Sequence, residues 1–137
     1  MQDLGNALER TFADLVIAAA PGLSVTTGQS QDDLSLPQMT IWAQDGREMP
    51  QDSGNFMVTV NCELRANADD TTLPDFRTLS ATAFAPLMSD GLASEASGAT
   101  GFHAFGITER QMRANVQDRS YISTLSMNVY CCLTDAT

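Results

Sequence analysis

Two adjacent cysteines, Cys131 and Cys132, and a single histidine, His103, are the side chains whose types suggest a reaction. A thiol activated by an imidazole base is a minimal nucleophilic pair. Successive residues of a strand point to opposite faces, however, so Cys131 and Cys132 cannot act together on one substrate. Nothing near them in the sequence points to a lowered thiol pKa. The plainer assignment puts Cys131 in a core and Cys132 on the far face. With Cys62 the cysteine count is odd, and no CxxC pair occurs, so neither a disulfide framework nor a thiol redox motif is implied. Reduced thiols are what a cytosolic protein carries.

Paired carboxylates are the second candidate chemistry. Asp32-Asp33 and Asp69-Asp70 suggest calcium binding or acid–base work by residue type alone. Neither pair sits in an EF-hand pattern, and both fall in turn-like stretches where acids are solvated. His103 has no neighbours at metal-ligand spacing. There is no GxGxxG, P-loop lysine, HExxH or GxSxG. The expectation is therefore no catalytic residue, no metal and no cofactor.

The third feature is charge. There are 17 acidic residues against 7 basic ones, all arginine, for a formal net charge of −10. Such a surface repels nucleic-acid phosphates and anionic lipid heads, which argues against a DNA-binding or membrane-surface module. Within it, Arg110, Arg113 and Arg119 gather near the last predicted hairpin, whereas Asp45, Glu48 and Asp52 share one loop. A basic cluster on an acidic protein can meet the acidic face of another copy, so these six are candidate subunit-interface residues. The alternative is a solvated hairpin tip.

These residues need elements to hold them. Leu4, Leu8, Phe12, Leu15 and Ala19 recur at helical spacing and predict an amphipathic helix over Gln2–Ala20, ended by Pro21-Gly22. Ser24–Thr27 reads as a short strand, Gln38–Ala43 as a strand, and Gln44–Gly54 as a loop. Phe56 to Arg65 alternates strictly, which marks an antiparallel strand with one face buried and the other wet. Thr72-Leu73-Pro74-Asp75 matches a capping box and opens a second helix, with Pro86 kinking it or marking its last turns. Phe102–Arg113 reads as a strand with Gly106 as a bulge. Asn115–Arg119 reads as a turn, and Tyr121–Leu133 as a last strand in which Ser123 is a small gap on the apolar face. With 137 residues and an apolar fraction of 43%, the chain supports one domain, residues 1–137, with a core of its own. The expected architecture is α+β: a four- to five-stranded, mainly antiparallel sheet with two helices packed on one face. No apolar run is long enough to cross a bilayer, and the N-terminal pattern lacks a signal peptide's basic start, so synthesis and folding in the cytoplasm are expected.

The order of these pieces is itself informative. An N-terminal helix leads to the strand LPQMTIW, the long strand NFMVTVNCELRAN, the helix LPDFRTLSATAFAPLM and the closing hairpin GFHAFGITERQMRANVQDRSYISTLSMNVYCC. This layout resembles the tail terminator (tail-completion, neck) proteins of long-tailed bacteriophages, over nearly the whole chain. The likeness lies in element order and pattern, including the alternation from Arg119 to Val129. It implies a non-enzymatic virion protein that forms a hexameric ring on the tail tube. The ring ends tube growth and joins the tail to the head-completion (neck) protein, and DNA passes its lumen without specific binding. Related expectations are another neck or minor tail component, or a cytosolic protein-binding adaptor.

Overall fold

A computed structural model describes residues 4–28, 37–44, 47–48, 55–89, 92, 102–117 and 119–133. Among them are two α-helices and six strands forming an open α+β sheet. Helix α1 (Leu4–Ala19) leads to β1 (Ser24–Thr27), β2 (Gln38–Ala43), β3 (Arg47–Glu48) and β4 (Asn55–Asn67). Helix α2 (Leu73–Phe84) runs into a 3₁₀ turn (Ala85–Met88), and β5 (Phe102–Gln117) and β6 (Ser120–Leu133) close the chain. Strand order is β1-β2-β4-β6-β5, with β3 also on β4.

The alternation read from the sequence sets the two faces of this sheet. Val58, Val60, Cys62, Leu64 and Ala66 of β4 are buried, as are Leu125, Met127, Val129 and Cys131 of β6 opposite them. Leu8, Phe12 and Val16 of α1 and Phe76, Ala83 and Phe84 of α2 join them in one core. Both helices therefore cover the same sheet face, as the helical spacing required. The other face carries Thr59, Asn61 and Glu63 against Asn128, Ser126 and Thr124, and Thr59 donates to the Asn128 side chain at 2.8 Å.

Helix α2 starts where its cap predicts. Thr72 is extended (φ −80°, ψ 158°), and its hydroxyl accepts the Asp75 N–H at 3.3 Å. Pro86 lies in the 3₁₀ turn, so it marks the helix end.

Two expectations need correction. The sheet has six strands rather than four to five, because β3 lies inside the stretch read as the Gln44–Gly54 loop and pairs Arg47 with Met57. Two residues are too few for periodicity to reveal. β1 and β2 pair in parallel, while the other described pairings are antiparallel, as expected of a mainly antiparallel sheet. The hairpin turn is also tighter than Asn115–Arg119: Gln117 pairs with Ser120, leaving two residues, with Arg119 in the left-handed region at φ 63°. Asn115 and Val116 belong to β5 and pair with Ile122 and Tyr121. The first helix is described over Leu4–Ala19, ending one residue before the expected Ala20, and its expected start at Gln2 lies outside the described residues.

Strand β5 contains two register shifts, one between Ala104 and Gly106 and one between Thr108 and Gln111. The first is the bulge expected at Gly106. From Gln111 to Gln117 the pairing with β6 is regular.

Candidate functional site

A groove opens between α2 and the regular half of β5. Its floor is built by β6 and α2 together. The rings of Phe76 and Tyr121 lie 5.4 Å apart, and the Ser80 hydroxyl donates to the Ser123 hydroxyl at 3.2 Å. Ser123 is buried and pairs with Ala114 of β5, so the β6–β5 end of this sheet row carries only small side chains. Small residues there, facing a helix that touches β6, leave a trough of about 890 Å³. Leu73, Arg77 and Met88 form one wall, Met112 and Val116 the other.

Burial separates this region from the rest of the molecule. Five large hydrophobic side chains are exposed among the described residues: Ile17, Leu73, Met88, Met112 and Val116. Four of them line the groove. Val116, 61% exposed, points to the same sheet face as the buried core residues of β6 but has no helix above it. Single exposed apolar residues are ordinary; several around one concavity mark a surface that binds something apolar.

Beside the groove runs a sheet edge. β5 is last in the strand order, so among the described residues its outer side pairs with no strand. Bulges are one device by which edges avoid unwanted pairing. Here both lie in the Phe102–Gln111 half, and the half next to Met112 and Val116 has none.

The predicted interface arginines do not form one cluster. Arg110 sits at the second bulge, and its Nη2 donates to the Ser89 carbonyl at 2.9 Å, tying β5 to the end of the 3₁₀ turn. Its Nε is buried without a partner. Arg113 is exposed and pairs with Thr124, whose row holds Glu63, on the polar face. Arg119 occupies the hairpin tip, 4.0 Å from Asp69, with both side chains largely exposed. Asp45 and Asp52 lie outside the described residues, and Glu48 belongs to β3. The basic residue that does line the groove is Arg77, which sequence reading passed over. Ser123, the gap in the apolar face of the last strand, was the one signal of a trough.

The residues first suspected of chemistry are placed elsewhere. His103 pairs with Cys132 across β5 and β6, and Asn55 pairs with Cys132 from the other side. His103 is exposed, and no hydrogen bond joins it to the thiol. This trio lies on the polar face, at the opposite end of β5 from the groove. Cys131 and Cys62 face the core, and burial pushes their thiols up to about 11 and about 12. The Cys132 thiol adds to the shift of Cys131. Asp69 and Asp70 are exposed in the turn after β4, and Asp32 and Asp33 lie outside the described residues. Among the described residues no three His, Cys, Asp or Glu side chains converge as metal ligands, and no helix is long and apolar enough to cross a membrane. No protein-family model matches the chain and no curated protein matches it, so its functional reading rests on the fold, the groove and the order of its elements.

Proposed function

We propose that this chain is a structural subunit that assembles with copies of itself into a ring, as the terminator at the head-proximal end of a phage tail. In this role it performs no reaction. One ring face meets the tail tube protein and stops its growth, and the other meets the head-completion protein. The observation that carries the assembly reading is the groove: four exposed apolar side chains around one trough, beside a bulge-free strand edge that pairs with no described strand. A subunit that is finished only by its neighbour leaves such a surface when seen alone. The phage assignment is supported by the element order, helix–strands–helix–hairpin, which runs through the whole chain. The net charge of −10 suits a lumen that DNA passes without sticking.

Two measurements test this. Light scattering or native mass spectrometry of the purified chain, alone and with tail tube protein, is expected to give a hexamer or a complex with the tube end. Electron microscopy of particles made without it is expected to reveal overlong or unjoined tails. Normal infectious particles would reject the terminator role. A chain that stays monomeric and binds no tail component points instead to an adaptor domain.

A further inference from the structure

We propose that the groove receives helix α1 of a second copy, with Ile17 and Ala18 entering the trough and Asp14 meeting Arg77. This inference rests on the ring reading above and names the contact that builds the ring.

Ile17 is the fifth exposed large hydrophobic residue among those described, 45% accessible, and the one of these five that lies outside the groove. It shares the outward face of α1 with Arg10, Asp14 and Ala18, all exposed. Asp14 stands one turn before Ile17, at the spacing that puts both on one side of a helix. On the receiving side, Arg77 is exposed at the groove wall. Neither Asp14 nor Arg77 has an ion pair or side-chain hydrogen bond with any described residue. The two surfaces thus match in kind: apolar stripe with a carboxylate, apolar trough with a guanidinium.

Their positions decide the symmetry. α1 packs over β1, β2 and β4, on one side of the sheet, while the groove lies over β5 at the other. A contact between them is heterologous and uses each surface once per subunit, which is what lets a ring close. A two-fold, groove-to-groove contact would leave Ile17 uncovered in every copy.

Charge reversal tests the pairing. Asp14→Arg and Arg77→Asp are each expected to weaken self-association by about tenfold or more, the factor equivalent to 1.4 kcal/mol. Both sites are exposed, so circular dichroism should show folded variants. The double variant carries the reversed pair and is expected to recover most of the loss. Disulfide trapping gives an independent reading in a Cys132→Ser background. A chain with Ile17→Cys, mixed with one carrying Met112→Cys, is expected to cross-link between the two chains. If Met112→Cys links only to itself, the contact is two-fold and the inference is overturned. Rings that survive both single reversals unchanged also overturn it, while leaving the ring reading in place. A wild-type chain that stays monomeric at high concentration and beside tail components removes the ring reading and this contact with it.

Discussion

The Glu9 carboxylate accepts the backbone N–H of Ala43 at 2.8 Å, joining the first helix to the last residue of β2 across 34 positions of sequence. The bond falls at the end of β2, where Ala43 pairs with Val60 and Gln44 donates to the Thr59 carbonyl, so the Ala43 N–H points away from β4. The last pair of β1 with β2 is Thr27–Ile41, so no β1 residue pairs with Ala43, and Glu9 supplies the acceptor from the helix. Glu9→Ala should lower unfolding stability by about 1–2 kcal/mol, as expected for a partly buried charge-assisted bond. Glu9→Gln should recover part of that. In urea titrations the midpoint should fall with the slope unchanged; no shift for Glu9→Ala would mean that the bond carries no weight.

The thiols make stability depend on alkaline pH. Burial raises Cys62 to about 12 and Cys131 to about 11, above the ordinary 9.0. The folded chain therefore keeps both protons where the unfolded chain loses them. Stability should be flat below about pH 8.5 and fall between there and pH 11–12, by up to about 1.4 kcal/mol per pH unit for each thiol. Cys62→Ala should flatten this slope while lowering stability at neutral pH. In native protein Cys132 should alkylate first, with Cys62 and Cys131 reacting only on unfolding. Rapid native labelling of Cys62 would contradict its burial.

Arg119 adopts a left-handed conformation at φ 63° in a two-residue hairpin turn. That conformation costs an L-residue about 1–2 kcal/mol, and glycine adopts it freely. Arg119→Gly also removes an exposed 4.0 Å ion pair with Asp69, worth little, and adds unfolded-state entropy of about 0.5–1 kcal/mol. The net expectation is a gain of up to about 1 kcal/mol in thermal unfolding, and a clear loss would show that the tip ion pair outweighs the backbone.

Thr72 caps α2 through the Asp75 N–H. Thr72→Ala should cost about 1 kcal/mol, and Thr72→Ser should restore most of it. Because α2 forms one wall of the groove, hydrogen exchange in its first turn should rise in the alanine variant before the rest of the fold is affected.

Much of this fold was legible because its central features are periodic. The alternation of β4 and the spacing of Leu8, Phe12 and Leu15 each identify one inward face, and both belong to the same core. The cap at Thr72 and the bulge at Gly106 were readable from local chemistry. What was missed depends on non-local pairing. β3 is two residues long, and β1 lies parallel to β2 for reasons no window of sequence contains. The hairpin tip lacks glycine, so Asn115 drew the turn three residues too early. The groove was hidden for a different reason. Ala104 and Met112 face the helices as simple alternation predicts, but between them two bulges place Ile107 on that face as well. Whether α2 then covers Met112 and Val116 is a matter of packing, which side-chain type does not reveal. Arg110, Arg113 and Arg119 are near in sequence, yet the bulge, the pleat and the tip send them three ways.

The pairing of β4 with β6 has a consequence for biosynthesis. Thirteen residue pairs join them, from Asn55–Cys132 to Asn67–Ser120, making β6 the neighbour of the central strand along its whole length. A nascent chain emerges N-terminus first, so β4 leaves the ribosome well before its partner exists. Until β6 emerges, one long side of β4 is unfilled and the core beneath the helices lacks Leu125, Met127, Val129 and Cys131. A chain cut short before Ser120 should therefore not hold the rest of the sheet in its native form.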